Sequence, residues 1–599
     1  MTLRLVPSLA LCLTLLLPTN AAAGEPAAPD VAAARKLFEA NLDAIRRKDR
    51  SAYLACYLES ETLARTGPEG FQTGFDSHAR QTSETSWPDL FEAHDLQLVP
   101  VRPGVVYGTY RYRVKYGDEE HQGLSERVFI KTPTGWKIAV STAFDSPAGT
   151  PPPPRALVGA TLVDGTGAPP VPDAVVLLRG GKIDCAGARK RCPVPEGVDV
   201  LDLKGNWITP GIVDAHVHFS QTGWADGRPD ALDLREQFPY EGVQASLRAH
   251  PERWFRSYLC SGVTAVYDVG GYPWTLGLTE RAEKDTRAPH VAAAGPLLST
   301  RDHWLNLPAE RQFIYLSDEA TATQGVRYLK EHGAAAVKVW FITGTDRPFE
   351  QMASLVAVAG AEAGRLGIPL IVHATELEAA RVALRAGARM LVHSVGDAPV
   401  DDDFIQLLKA NHTIYCPTLT VTGGYQRMFA SVAEGTPPPV DDPSGCVDGE
   451  TLTHIARTPV LGKGRFDVER WRSRAADREK RTLIAAANLK RIFEAGIPVA
   501  TGTDAGNPLT LHGPSIYGEM EAMQEAGLTP MQVLVASTKG GAMAMGRQDL
   551  GTVEKDKIAD LLVVAEDPLA DISNLRQLRC VVRGGVVRRT EELRPMGAQ

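Results

Sequence analysis

Between residues 210 and 546 short apolar runs alternate with helical or loop sequence, and that alternation constrains the fold more than any other feature. Eight runs have strand character: 211–215, 263–269, 291–294, 335–340, 369–373, 390–393, 413–417 and 498–503. Strands joined through helices run parallel, so eight such units predict an α/β fold, a (β/α)8 TIM barrel rather than an open sheet. One connection, from Thr420 to about Glu479, is unusually long and carries Thr436-Pro437-Pro438-Pro439 and Asp442-Pro443-Ser444-Gly445. A loop of that length in a compact barrel reads as a lid or a substrate-facing insertion.

Function in such a barrel sits at the C-terminal ends of the strands, and ligand-type side chains collect there. His216 and His218 follow the first run, in Asp214-Ala215-His216-Val217-His218. Two residues apart in extended chain, they face one side and can reach one metal. Lys338 ends the fourth run, His373 the fifth, His393 the sixth, and Asp504 the eighth, in Thr501-Gly502-Thr503-Asp504-Ala505-Gly506. A lone histidine at a strand end is ordinarily a satisfied structural residue. Six ligand types on the ends of five strands predict a metal centre instead. His303, in Thr300-Arg301-Asp302-His303, and His512, in Leu511-His512-Gly513, lie in loops after the third and eighth runs. Each reads either as a substrate-binding group or as a plain loop residue.

The flanks are different in kind. Residues 31–146 read as a separate α+β domain: Leu37, Phe38, Leu42 and Ile45 recur at helical spacing. Tyr110, Tyr112, Val114 and Tyr116 alternate with Thr109, Arg111, Arg113 and Lys115, as in a half-buried strand. Runs 128–131 and 136–140 form a hairpin around Thr134-Gly135. Residues 147–154 are a proline-rich linker, stiff and extended. Strand-like runs at 156–163, 174–179 and 198–203 have counterparts at 559–564 and 580–585. Segments 155–209 and 547–592 are therefore expected to close one β-sandwich around the barrel inserted at 210–546.

At the start of the chain, Arg4, the apolar stretch 9–17 and Ala21-Ala22-Ala23 follow the order of a secretory signal over residues 1–23. The protein is expected to be exported, periplasmic or secreted. No later stretch reaches the roughly 18 apolar residues of a transmembrane helix. A length of 599 residues exceeds one hydrophobic core, and 23% charged residues is ordinary for a soluble protein. A net charge of −8, without any basic or aromatic-basic run, argues against nucleic acid as a partner. A homo-oligomer remains open. Seven cysteines follow the signal, Cys56, Cys185, Cys192, Cys260, Cys416, Cys446 and Cys580, too few for disulfides to hold so long a chain together. Cys185 and Cys192 are near enough to bridge, or equally to remain free thiols.

The ligand pattern resembles the amidohydrolase superfamily, in its imidazolonepropionase-like and Xaa-Pro dipeptidase-like branch, over roughly residues 156–587. The motifs are Ile208-Thr209-Pro210-Gly211-Ile212-Val213-Asp214-Ala215-His216-Val217-His218, the Gly-Thr-Asp-Ala-Gly at 502–506, and the tail Lys557-Ile558-Ala559-Asp560-Leu561-Leu562-Val563-Val564. The earlier domain, a helix followed by a sheet ending in Gly-Trp-Lys-Ile at 135–138, resembles the cone-shaped fold of nuclear transport factor 2 and its SnoaL-like relatives. That likeness implies a binding or assembly role.

Lys338 needs a separate account, because an ammonium cannot ligate a cation and is repelled by one. Among Ala335, Ala336, Val337, Val339 and Trp340 it is odd unless modified or paired. The resemblance implies that it reacts with CO2 to give a carbamate bridging two metals. His216, His218 and Asp504 then bind one metal, and His373 and His393 the other. A snorkelling Lys338 would leave a mononuclear site instead. Divalent cations, zinc foremost, bring the pKa of bound water towards neutrality and polarise a carbonyl. The resemblance assigns Asp504 to take the water's proton and pass it to the leaving nitrogen. The expected reaction is hydrolysis of a C–N bond in a small amide, cyclic amide or dipeptide. Two rivals stand beside it. His373-Ala374-Thr375-Glu376 has the H-x-x-E spacing of adenosine-type deaminases, mononuclear relatives that lack the lysine. An inert barrel acting as a binding protein is opposed by the complete ligand set.

Overall fold

The computed structural model describes residues 28–67, 70–116, 119–145, 154–302, 306–344, 347–461 and 466–595. The signal sequence, His303 and nearly all of the proline-rich linker lie outside these residues. Contacts divide the chain into two units, one up to Thr150 and one from Pro151.

In the first unit the helix Ala28–Arg46 shares a core with an antiparallel sheet. The long strands of that sheet are Leu90–Arg102, Val105–Tyr116, Glu119–Thr132 and Gly135–Thr142. Period-two alternation buries Tyr110, Tyr112 and Val114, and Phe38 of the helix meets Tyr110 edge-on at 4.8 Å. Tyr116, the last of the series, is exposed where the strand runs out.

The second unit begins and ends in two sheets. One has the order Lys182–Ala188, Ala174–Arg179, Arg155–Val158, Asp199–Asp202. The other runs Val586–Arg589, Leu578–Arg583, Leu561–Val564, Trp207–Pro210, Thr161–Leu162. The latter joins distant parts of the chain, since Trp207–Pro210 pairs antiparallel with Leu561–Val564. Leu157, Val176, Leu178, Ile208, Leu561 and Val563 form one apolar cluster from these strands. Burying them away from water is what holds the two flanks together.

Between the flanks the strands are parallel and nearly all buried, as their continuous apolar character demands. Ile212–Val217 pairs with Val263–Asp268, which pairs with His290–Ala293. The Ala335 amide donates to the Ala293 carbonyl at 2.8 Å, leading to Val337–Trp340. Leu370–His373, Met390–Val392 and Ile414–Cys416 follow in register. Tyr415 N donates to Pro498 O and Ala500 N to Tyr415 O, while Ala215 N donates to Thr501 O at 2.9 Å. Main-chain bonds thus pass from strand to strand and return to Ile212–Val217. The 498–503 run takes part through these single bonds and forms no regular ladder.

The long connection after Ile414–Cys416 is mostly helical. It holds Val421–Glu434, Gly449–Ala456, Val468–Ser473 and the start of Ala475–Glu494. Met428, Val432, Val447 and Ile455 share a core with Trp224, Leu509 and Leu511, so this insertion is packed against the loops that follow His218 and Asp504. Among the described residues no helix is long and apolar enough to cross a membrane.

Candidate metal centre

The centre is built on Asp214, in the middle of a fully buried strand. Its Oδ1 accepts from the Thr503 amide at 3.0 Å and the His216 amide at 3.3 Å, and its Oδ2 accepts from the Thr503 hydroxyl at 2.6 Å. This carboxylate therefore registers the His216 strand against the segment that carries Asp504. Burial pushes Asp214 up to about 7 in spite of those three donors. Gly502 lets the two segments close: a Cβ there would lie 2.5 Å from Cys416 Sγ and 2.7 Å from His216 Cβ.

At the strand ends, His218 Nε2 lies 2.9 Å and His216 Nε2 3.3 Å from Asp504 Oδ1. All three residues are buried and their candidate ligand atoms lie within 4.8 Å of one another. His393 Nε2 stands 3.9 Å from the other oxygen, Asp504 Oδ2. His373 is next, its ring centroid 4.3 Å from that of His393. Lys338 is 1% exposed, and its charge acts on His216, His373 and His393 alike. Burial pushes its amine down to about 7, against the opposing pull of Asp504 and Cys416. Burial, then Lys338, hold His216 and His373 well below the usual imidazole value, while for His393 burial is followed by His373 and Lys338. Four histidines and one aspartate thus converge around Lys338, and the histidines among them for which a shift is resolved are neutral.

The hydrogen bonds show that this set suits a cation. A carbonyl can only accept, so His218 Nδ1, 2.6 Å from Gly270 O, holds the ring proton. His218 Nε2 is thereby left to face Asp504 Oδ1, 2.9 Å away. Both ring nitrogens of His216 and Oδ1 of Asp504 are buried without a hydrogen-bond partner. Orphaned acceptors in a dry site are costly, and a divalent cation satisfies imidazole and carboxylate together. His393 at φ 74° and Asp504 at φ 62° both occupy the left-handed region, strain of a kind that gathers at functional sites.

His512 belongs to a different layer. It is 3% exposed and stacks on Trp254 at 4.2 Å. Its Nε2 donates to Gln221 O at 3.0 Å, and its Nδ1 accepts from the Tyr258 hydroxyl at 2.8 Å. With both nitrogens engaged, it supports the loop after His218 and has no free atom for a substrate. Three residues that the sequence reading did not single out also approach the centre. Arg228 donates to Asn507 Oδ1 and pairs with Asp230, and Tyr425 donates to the same Asn507 oxygen at 2.7 Å. The charge of Arg228 lowers both His373 and His393. They come from three separate loops or helices with no periodic pattern to mark them. Glu376 lies three residues beyond His373, where its Oε2 accepts from the Thr343 hydroxyl at 2.7 Å.

Residues 445–588 match the family model of the amidohydrolase family. The chain is 24% identical over 419 residues to an imidazolonepropionase of Geobacillus kaustophilus, covering 65% of this chain and 82% of that protein. It is 23% identical over 433 residues to a 5-methylthioadenosine/S-adenosylhomocysteine deaminase of Symbiobacterium thermophilum, covering 68% and 85%. The solved structure of a Xaa-Pro dipeptidase with methionine in its active site shares the fold, with a TM-score of 0.54 and 20% identity over 73% of this chain and all of that one. Residues 445–588 thus carry the amidohydrolase family's pattern, while the wider chain is similar to an imidazolonepropionase and shares its fold with the dipeptidase structure.

Proposed function

We propose that this protein is a metal-dependent amidohydrolase that cleaves a C–N bond in a small amide, cyclic amide or dipeptide. One observation carries the reading: His216, His218 and Asp504 meet in a buried cluster, with His393 on the far side of the carboxylate. The circuit of main-chain bonds supports a (β/α)8 barrel with this cluster at the C-terminal ends of its strands. His216, His218 and Asp504 would hold one divalent cation, and His373 and His393 a second. Zinc suits a site of imidazoles and a carboxylate. Lys338, as a carbamate, would turn from a repelled cation into a shared anionic ligand. Bound cations supply an acidified water and a polarised carbonyl. Asp504 would take a proton from that water and return it to the leaving nitrogen. Asp214 and Gly270 keep His216 and His218 in their orientations throughout.

The test is metal per chain by elemental analysis beside turnover on a panel of dipeptides, N-acyl amino acids and cyclic amides. Lys338→Met keeps an apolar strand apolar, so folding survives. About two metals should fall towards one or none, and turnover by several orders of magnitude. A wild type with one metal, retained with full activity in Lys338→Met, would overturn the binuclear reading. A wild type that binds no metal and hydrolyses nothing would overturn the whole.

A deaminase is the second reading, resting on Glu376 three residues after His373 and on the likeness to the Symbiobacterium deaminase. Ammonia release from adenosine-type substrates by a one-metal enzyme would favour it. We also read the chain as exported. Cys185–Cys192 and Cys260–Cys446 are bonded, which accords with an oxidising compartment. A mature terminus near Gly24 is expected, and an intact Met1-starting chain in the cytoplasm of the native host would contradict it. The first unit is read as a SnoaL-like cone with a binding or assembly role.

A further inference from the structure

Glu519 lies in the helix Ser515–Glu525, is fully buried, and forms no ion pair among the described residues. All its hydrogen bonds reach across about a hundred residues to one short turn. Its Oε1 accepts from the Leu419 amide at 2.8 Å, and its Oε2 from the Thr420 amide at 3.0 Å and the Thr420 hydroxyl at 2.9 Å. The residue just before this clamp is Thr418, buried and held at φ 45°. A β-branched residue is rare in that region and stays there only when its surroundings impose it. Thr418 Oγ1 in turn lies 2.6 Å from His393 Nδ1. His393 is itself left-handed, and its amide donates to Cys416 O at 2.9 Å, so the same turn grips it at both backbone and ring.

We infer that Glu519 is a positioning residue for His393, acting through Thr418. The inference rests on the metal-centre reading above. His393 faces Asp504 with Nε2, so ligation there requires the ring proton on Nδ1, where the Thr418 oxygen accepts it. Thr418 can offer that oxygen only while its backbone remains in the strained turn, and Glu519 supplies three of the bonds that hold the turn. A carboxylate accepts on both arms, whereas a glutamine must turn an NH2 towards one set of these donors. The substitution is nearly isosteric and still breaks the clamp.

The experiment titrates full-length apoprotein with Co2+ and reads the cobalt absorption spectrum and the dissociation constant by chelator competition, with apoprotein thermal melts as a fold control. Thr418→Val and Glu519→Gln should each weaken cobalt binding by about 10–100-fold and alter the spectrum. Thr418→Ser keeps the hydroxyl and should restore both. Because the two residues act in series, the double variant should bind little worse than the weaker single one. Wild-type affinity and spectrum in Thr418→Val, or losses that multiply in the double variant, would overturn the inference alone. A wild type that takes up no cobalt would overturn the metal-centre reading along with it.

Discussion

Cys260 and Cys446, 186 residues apart, are joined by a disulfide that ties the helix Glu252–Cys260 to the insertion after Ile414–Cys416. Both are buried, and the tie is doubled by Arg253 of the same helix, which pairs with Asp448 at 2.7 Å and Glu450 at 2.6 Å. The cysteine spacing along the chain does not single out this pair, which the fold brings together. Cross-links that close long loops restrict the unfolded chain most, and a native bridge is typically worth about 2–4 kcal/mol. Cys446→Ser, or reduction, should lower the calorimetric midpoint by several degrees and speed proteolysis within 421–461. An unchanged midpoint would show that the insertion is held by its apolar contacts alone.

Lys338 is placed among His216, His373 and His393, and that placement makes chemical rescue possible. Lys338→Ala leaves space where a carboxylate-bearing side chain is proposed to sit. Formate or acetate should restore part of the lost turnover and part of the lost metal, both in proportion to acid concentration. Amines of similar size should do neither. Rescue by amines rather than acids would mean that Lys338 acts as a cation.

Gly502 admits no side chain without displacement, since a Cβ would press on Cys416 Sγ and on the His216 backbone and Cβ. Gly502→Ala should therefore cost about 1–3 kcal/mol, the usual size of an overpacking strain. It should reduce metal affinity more than a core substitution of equal cost made far from the centre. Equal affinity loss in both would detach the glycine from the site.

Glu283 offers a pH test away from the metal. Burial alone would raise its pKa, but the hydrogen bond with His290 Nδ1 at 2.7 Å and the ion pair with Arg547 at 2.8 Å win, holding it at about 2. A carboxylate depressed in the folded state stabilises above its ordinary pKa of about 4.5 and loses that contribution as pH falls towards about 2. Glu283→Gln should lower the melting temperature at pH 7 and flatten its decline between about pH 5 and pH 3. A decline as steep as in the wild type would assign acid sensitivity to other carboxylates.

What was legible in the sequence was what local order encodes. Apolar runs repeat with strand lengths, and His216, His218, His373, His393 and Asp504 fall where those runs stop, because side-chain direction along a strand depends only on the neighbouring residues. The tertiary structure decided the rest. His512 has the composition of a substrate ligand and the position of a loop residue. Only packing on Trp254 and bonding to Gln221 show that it braces the His218 loop. The run at 498–503 has strand composition, yet in the fold it meets Tyr415 on one side and Ala215 on the other through isolated main-chain bonds rather than a ladder. Glu519 and Thr420, Cys260 and Cys446, and Arg228 and Asn507 are each paired across about a hundred residues or more. No periodicity reaches that far. Such pairs form because the fold brings distant segments side by side, where burial makes an unpaired polar group too costly to keep.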